Sequence, residues 1–387
     1  MVTAPAIATT VAGAGPLLRL LLDGRPRTRA ELIELSGLAR STVAGRIEAL
    51  LESGLVVPSG EAASTGGRPP ARFAFNPAAR VILAADVGAT HLSVALTDLL
   101  GDALDSVTVP LHIEAGPEVV LGAIAEHGRA LLTKAGRTTS DLAGTGVGLP
   151  GPVEHLTGRP NHPPIMPGWD SYDVVGRLTG ELGGPVLVDN DVNIMALGEH
   201  ATQYAGVEHL LFVKVATGIG AGLISGGRLH RGAQGAAGDI GHIQAHGVHH
   251  ELCRCGNTGC LEAIASASAI AGRLRAAGLR AEGSQDVVEL VRAGNTIATQ
   301  AVRQAGREIG AVLAGCVSLL NPSVIVVGGS LSQAGDSLLA GIREAIYARS
   351  LPLATTELLV VAARSGPQAA VRGAAAMVLD HALAAAA

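Results

Sequence analysis

The period of the hydrophobic pattern changes along the chain, and the changes mark its units. Between Pro16 and Leu51 apolar residues fall at helical spacing. Leu17, Leu18, Leu20, Leu21 and Leu22 run up to Gly24, and Val43, Ile47, Leu50 and Leu51 share one face further on. A helix over about 29–35 opens on Thr28 with Glu31 three residues later, the spacing at which each side chain satisfies an orphan donor at the helix start. Ser36-Gly37-Leu38 separates it from a third helix that begins near Arg40 and stops at Gly54. Leu55–Val57 reads as a strand, residues 58–70 are rich in Pro, Gly and Ser, and Arg72–Phe75 reads as a returning strand. Helices followed by strand, basic turn and strand make a winged helix-turn-helix, predicted over 15–76 behind a small, uncharged, disordered stretch at 1–14.

From Val81 the texture becomes that of alternating strands and helices. Strands are predicted at Val81–Ala85, Leu92–Thr97, Gly144–Leu149, Pro185–Val188, Ser323–Val327 and Leu358–Ala362. A further strand follows Gly101, and Leu210–Ala216 with Gly222–Ile224 reads as a hairpin. Helices are expected at about 117–135, from near Asp191, over most of 286–320, and in the Ala-rich tail 368–385. Two α/β units with a cleft between them fit this order and a length of 387 residues.

Composition sharpens the picture in three ways. Hydrophobic residues make up 48% but aromatics only 2%, so the core must be built from aliphatic side chains. Net charge is −5 overall, yet residues 16–80 carry nine Arg against six acids, so this segment is net +3 and the remainder −8. A phosphate backbone attracts the first piece and repels the second. No signal peptide or membrane-length apolar run is read, so a cytoplasmic protein with reduced thiols is expected, and its four Cys are metal ligands or core residues, not disulfides.

In the helix-turn-helix, the third helix would lie in the major groove of double-stranded DNA. Arg40, Ser41, Thr42 and, one turn later, Arg46 would meet phosphates and base edges, with Arg68 of the wing reaching the neighbouring minor groove or backbone. The alternative is a three-helix cap with solvated arginines. Ala39 stands where a Ser or Thr cap is expected, at a cost of about 1 kcal/mol of helix stability.

His242, Cys253, Cys255 and Cys260 gather one imidazole and three thiols within nineteen residues. Tetrahedral Zn²⁺ prefers such a set in closed structural sites, and four protein ligands leave no position for a catalytic water. Small buried hydrophobes are the competing reading. It suits Cys316 in its apolar helix, and suits three Cys in a polar Gly-rich loop poorly.

A third constellation has the chemistry of sugar and phosphate binding. Asp86-Val87-Gly88-Ala89-Thr90 ends a buried strand, where small residues let backbone N–H groups approach a phosphate and the Asp would hold hydrated Mg²⁺. Thr217, Gly218 and Gly220 lie in a second Gly-rich turn, and Gly328-Gly329 follows a later strand where an adenosine would fit. Asn190, Asp191, Asp239, His242 and Glu262 offer the carboxylates, amide and imidazole that a hydroxyl-rich ligand needs, since desolvated hydroxyls must all find partners. Asp191 would also serve as general base on a sugar hydroxyl. Its local alternative is a helix N-cap.

Together these segments resemble the ROK family (repressors, open reading frames and kinases): Asp86–Thr90, Gly146–Pro152, Pro167–Trp169, Val188–Asn193, Thr217–Gly222, Gly238–His242 and Cys253–Glu262 occur in family order across about 81–387. The resemblance implies a two-lobed actin-like or hexokinase-like (ribonuclease H-like) α/β domain over 77–387. Its smaller lobe would take about 81–188 plus the helix at 368–387, and its larger lobe about 189–367. It further implies zinc on His242, Cys253, Cys255 and Cys260, and a sugar held by Asn190, Asp191, Asp239, His242 and Glu262, with Asp191 the base in kinase members. Members with a winged helix look like transcriptional repressors, so the expected function is sugar-controlled regulation of carbohydrate genes by a homodimer or homotetramer. The alternative is an ATP- and Mg²⁺-dependent sugar kinase with an accessory DNA-binding domain. Asp239 replaces the family's usual Glu, and His91 follows Thr90 where kinases often carry a basic or polar residue.

Overall fold

A computed structural model describes residues 13–61 and 69–385. Arg68 and nearly all of the stretch at 1–14 fall outside the described residues. The first unit contains α1 (Gly15–Leu21), β1 (Arg27–Thr28), α2 (Arg29–Ser36), α3 (Arg40–Glu52), β2 (Val56–Glu61) and β3 (Ala71–Phe75), with an antiparallel sheet in the order β1–β3–β2. Thr28 and Glu31 form the reciprocal cap read from their spacing, and Gly37 ends α2 in the left-handed region at φ 67°. Ala39 gives α3 no side-chain cap. The two-residue β1 is new, because so short a strand leaves no alternation to read.

Next come β4 (Val81–Val87), β5 (His91–Thr97), β6 (Ala103–Pro110), α4 (Pro117–Lys134), β7 (Leu142–Leu149), the small hairpin β8 (Val153–Glu154) and β9 (Arg159–Pro160), α5 (Val174–Leu182), β10 (Val186–Asn190) and α6 (Asp191–Gln203). A second series follows: β11 (Leu210–Val215), β12 (Ile219–Ser225), β13 (Arg228–His230), α7 (Leu261–Ala265), α8 (Ala267–Ala276), α9 (Ser284–Arg292), α10 (Thr296–Leu320), β14 (Val324–Gly328), α11 (Asp336–Arg349), α12 (Pro352–Thr355), β15 (Leu359–Ala362) and α13 (Gln368–Ala385). The sheets run β10–β7–β4–β5–β6 and β13–β12–β11–β14–β15. Both use one plan. Three strands joined by short turns form an antiparallel meander, and two more add in parallel beside the first of them, reached by helical crossovers. Strands covered on both faces read as continuous apolar runs, and every residue of β7 and β14 is buried.

The last helix of each unit packs across the other unit. Helix α6 leaves the first sheet and lies on β11 and β12, while α13 leaves the second sheet and lies on β4 and β7. The two helices cross at Gly198 and Gly373. A Cβ at Gly198 would sit 1.8 Å from the Ala369 carbonyl oxygen, and one at Gly373 would sit 1.7 Å from that of Ile194. Only glycine permits this backbone approach. Beside the crossing, the wholly buried Glu199 carboxylate accepts the Arg364 and Ser365 N–H groups at 2.8 and 2.9 Å, pinning the loop that launches α13.

The far end of α13 belongs to the winged unit's core. Val378, Leu379, Ala382 and Leu383 pack in one cluster with Leu17, Leu21, Leu32 and Ile47, and with Ile82, Leu99 and Ala143 of the first lobe. Arg19 meets Asp380 at 3.5 Å on the rim. Burying such aliphatic side chains stabilises by about 1.5–3 kcal/mol each, so the winged unit is seated on the lobe by its own core. Among the described residues, no helix is long and apolar enough to cross a membrane.

Candidate functional site

The start of β12 is the spine on which the site assembles. Gly241 and Gly238 pack against the carbonyl oxygens of Ile219 and Ala221, where any Cβ would clash at 2.1 and 2.0 Å. That approach holds the segment carrying Asp239 and His242 to the strand. Glu262, near the start of α7, accepts the Ile219 N–H at 3.1 Å, and Gly220 faces Val192 in the first turn of α6. The structure therefore brings Asp239, His242, Glu262 and the N-terminus of α6 around three consecutive residues. Asp239 is half-exposed and its Oδ1 lies 4.0 Å from His242 Nε2.

At α6 the cap is Asn190, not Asp191. The Asn190 side chain accepts the Val192 N–H at 2.9 Å and donates to the Gly151 carbonyl at 3.0 Å, so its amide is committed mainly to structure. Asp191 is the first helical residue, and its side chain is only 5% exposed. Its partner is one that sequence reasoning missed: Lys214 on β11, with Nζ 2.5 Å from Asp191 Oδ2. Burial pushes the Asp191 carboxyl above the ordinary carboxylate range, and Lys214 opposes that push. Burial also works against the Lys214 charge, but Asp191 and Asp86 outweigh it and hold the ammonium above its ordinary value. Asp189 was also missed. Buried at the end of β10, it binds Arg231 Nε at 2.6 Å and accepts from Asn193 at 2.8 Å, tying the two lobes together across the cleft.

The Gly-rich turns lie where the sequence placed them, but their open faces are occupied. The turn after Asp86 closes through the Gly88 N–H to the His91 carbonyl at 2.9 Å, and Thr90 is exposed. The His91 ring stands over Gly88, within 2.1 Å of where a Cβ would be. Thr217 is exposed, whereas Gly218 is covered by the Glu262 carboxylate. Gly328 packs on Phe212, and Gly329 packs on the Val215 backbone. Close packing within the chain thus accounts for these glycines.

The ligand atoms of His242, Cys253, Cys255 and Cys260 all lie within 4.8 Å of one another. His242 Nδ1 is 3.5 Å from Cys253 Sγ, and Cys255 Sγ is 3.7 Å from Cys260 Sγ. A tetrahedron with Zn–S arms of about 2.3 Å has edges of about 3.8 Å, so the donor set fits that ion. The loop folds to this shape because Gly256 and Gly259 take φ of 94° and 73°, and Cys253 N–H closes a turn on the Asn257 carbonyl at 2.8 Å. The thiols are unequal. The Asn257 N–H draws Cys255 down to about 7, while burial and the neighbouring thiols push Cys260 up to about 12. The imidazole serves two sites, with Nδ1 toward the thiols and Nε2 toward Asp239.

In the winged unit Arg40 and Ser41 are exposed at the start of α3, and Thr42 is half-buried. Arg46 is half-buried, its guanidinium packed against Gly13 ahead of α1. Arg29 of α2 pairs with Glu48 on the outer face of α3 and stacks 4.9 Å from the Phe73 ring centroid, setting α3 against β3.

A winged helix seated on a duplicated two-lobed α/β frame, with a thiol–imidazole knuckle beside the cleft, defines an actin-like protein with a nucleic-acid-binding type of module. The chain belongs to the ROK family, whose profile matches residues 82–381. A xylose repressor from Caldicellulosiruptor bescii is 27% identical over 383 residues, 95% of each chain. A glucokinase from Halalkalibacterium halodurans is 33% identical over 283 residues, 69% of this chain and 85% of its own. A crystal structure of a ROK family transcriptional regulator, a homologue of the Escherichia coli MLC protein, superposes with a TM-score of 0.84 at 26% identity over 98% of both chains.

Proposed function

We propose that this protein is a transcriptional regulator, a repressor of carbohydrate-metabolism genes, whose hold on operator DNA is set by a sugar in the interlobe cleft. One observation carries the reading: α13 crosses α6 at Gly198 and Gly373, and its other end completes the core of the winged unit. Asp191 begins α6, so a ligand there acts on an element two contacts away from the DNA-binding helices. A sugar that prefers one lobe arrangement shifts the equilibrium toward it. Similarity to repressors along nearly the whole chain supports this reading, while the glucokinase similarity covers a smaller share.

In this reading Arg40, Ser41, Thr42 and Arg68 contact DNA, Arg46 braces the recognition helix, and Asn190, Asp191, Asp239, His242 and Glu262 form the sugar site. His242, Cys253, Cys255 and Cys260 hold a structural zinc ion that fixes His242 and Glu262 beside the cleft. In this reading the protein acts as a homodimer or homotetramer, which would present winged helices in pairs to an operator. The test is selection of bound duplexes from a random pool, followed by gel shifts with Arg40→Ala/Ser41→Ala. Loss of the shift with retained sugar binding supports the assignment, and an unchanged shift refutes it. The second reading, an ATP-dependent sugar kinase, is favoured by the buried Asp191 carboxylate at a helix N-terminus. ADP release with Mg·ATP and a hexose, abolished by Asp191→Asn, would establish it.

A further inference from the structure

Lys214, the ion-pair partner of Asp191, has no part in the reading above, and the strands around it leave it room. Lys214 is paired in register with Gly220 on β12 and Gly328 on β14. Cross-strand partners share a face, so the Lys214 stem is flanked on both sides by residues without side chains. That face looks onto α6, since Gly220 meets Val192. Val192 stands over Gly220 and the Phe212 ring over Gly328, so Lys214 is the one long side chain of this row, and it reaches Asp191. The Lys214 side chain is 22% exposed, and among the described residues its hydrogen-bond acceptor is Asp191 Oδ2 alone. An ammonium has three N–H donors, so two remain to be directed elsewhere.

Two consequences follow. A carboxylate that acts as general base must accept the proton of the sugar hydroxyl as that oxygen bonds to the transferred phosphorus and the bridging P–O bond to the diphosphate breaks. An ammonium at 2.5 Å stabilises the ionised carboxylate and partly offsets the rise in proton affinity that burial gives it, so Asp191 is held as a hydrogen-bond acceptor for a hydroxyl. Second, the free N–H groups beside Asp191 call for acceptor oxygens, which a neutral polyol supplies through its hydroxyls. The imidazole standing over Gly88 agrees with this, because it fills the face of the turn that a phosphate would approach.

We propose that Lys214 is a ligand-contacting, specificity-determining residue, which fits the cleft to reversible recognition of an unphosphorylated sugar through its hydroxyls. The proposal rests on the reading of the cleft as a sugar site. Lys214 holds Asp191 as a permanent acceptor for one hydroxyl and itself donates to a neighbouring one. Removal of that hydroxyl from the ligand leaves a desolvated ammonium donor unpaired, and this is the origin of the discrimination.

The test is calorimetric titration of the full-length protein with neutral pentoses, hexoses, N-acetylhexosamines and their monodeoxy analogues, in wild type, Lys214→Met and Lys214→Arg. The expected result is a parent sugar whose deoxy analogue binds the wild type at least about tenfold more weakly, a difference of about 1.4 kcal/mol. That difference should vanish in Lys214→Met and persist in part in Lys214→Arg. Thermal melts in the absence of sugar establish that the variants are folded, and a destabilised Lys214→Met leaves the Lys214→Arg arm to be read. The proposal is overturned if the variants keep the wild-type discrimination. If the wild type binds no sugar at all, the reading of the cleft falls and takes this proposal with it. Sugar binding that ignores Lys214 removes this proposal alone.

Discussion

Replacing Gly373 with Ala tests the crossing that joins cleft to winged unit. The new Cβ would lie 1.7 Å from the Ile194 carbonyl oxygen and 2.7 Å from its carbon. Ordinary contact needs roughly 3.5 Å, so α6 and α13 must part by about 1.5–2 Å at this point. A flexible side chain could swing aside, but here the obstacle is backbone in a helix that is itself packed on β12. The cost therefore belongs at the top of the overpacking range, about 3 kcal/mol. For a cooperative unit of 150–250 residues that lowers Tm by about 6–12 °C. Because the displaced helix carries Asp191 at one end and faces the core partner of α1 at the other, the sugar response of operator binding should weaken with it. The assay is calorimetric melting, paired with fluorescence anisotropy of labelled operator with and without sugar. Gly180→Ala is the control: that glycine lies in α5 with open space where its Cβ would go, so Ala should leave Tm unchanged or raise it. If Gly373→Ala melts with the wild type and keeps its sugar response, the crossing is not the link.

Other outcomes follow from the same geometry. Purified protein should contain one zinc per chain by elemental analysis. Cys255→Ala should abolish that stoichiometry and lower Tm, and equal metal content in the variant would contradict the ligand set. Arg40→Ala with Ser41→Ala should weaken operator binding at least about tenfold, since each base or phosphate contact contributes about 1–3 kcal/mol, with sugar titrations unchanged. Thr28→Ala removes the α2 cap and should cost about 1 kcal/mol in chemical denaturation. The Glu31 carboxyl in that cap is held below its ordinary range, first by the Thr28 N–H and then by its hydroxyl. Its contribution is thus present above the unfolded carboxylate range and is lost as pH falls through the lowered value. Acid titration of the wild type, compared with Glu31→Gln, reads that loss.

Much of this architecture was legible because its signals are local. Thr28–Glu31, Gly37 and the apolar stripe of α3 fix the winged unit by neighbours in sequence, and the three cysteines sit within eight residues of one another. Most strands of both lobes were visible as apolar runs that began within a few residues of the expected start, whereas the short β8, β9 and β13 carry too few residues to read. What stayed hidden depends on contacts between distant segments. Lys214 reads as one charge in an apolar strand, and nothing near it in sequence names Asp191 as its partner. Asp189 with Arg231, and Glu199 with the loop at 364–365, are hidden for the same reason. Arg46 has the helical spacing of a DNA contact, but a glycine ahead of α1 receives its guanidinium. In the Gly-rich turns two readings coincide, because a phosphate cradle and a tight internal contact ask for the same residue.

The central claim is that the cleft and the winged helix share one equilibrium. The direct measurement is a pair of titrations: operator DNA into protein with and without saturating sugar, and sugar into protein with and without saturating operator. The account predicts that both affinities shift by one common factor, on the order of 5–150-fold, because coupling between two binding sites is reciprocal. Operator affinity that is indifferent to a sugar shown to bind the same protein would contradict it.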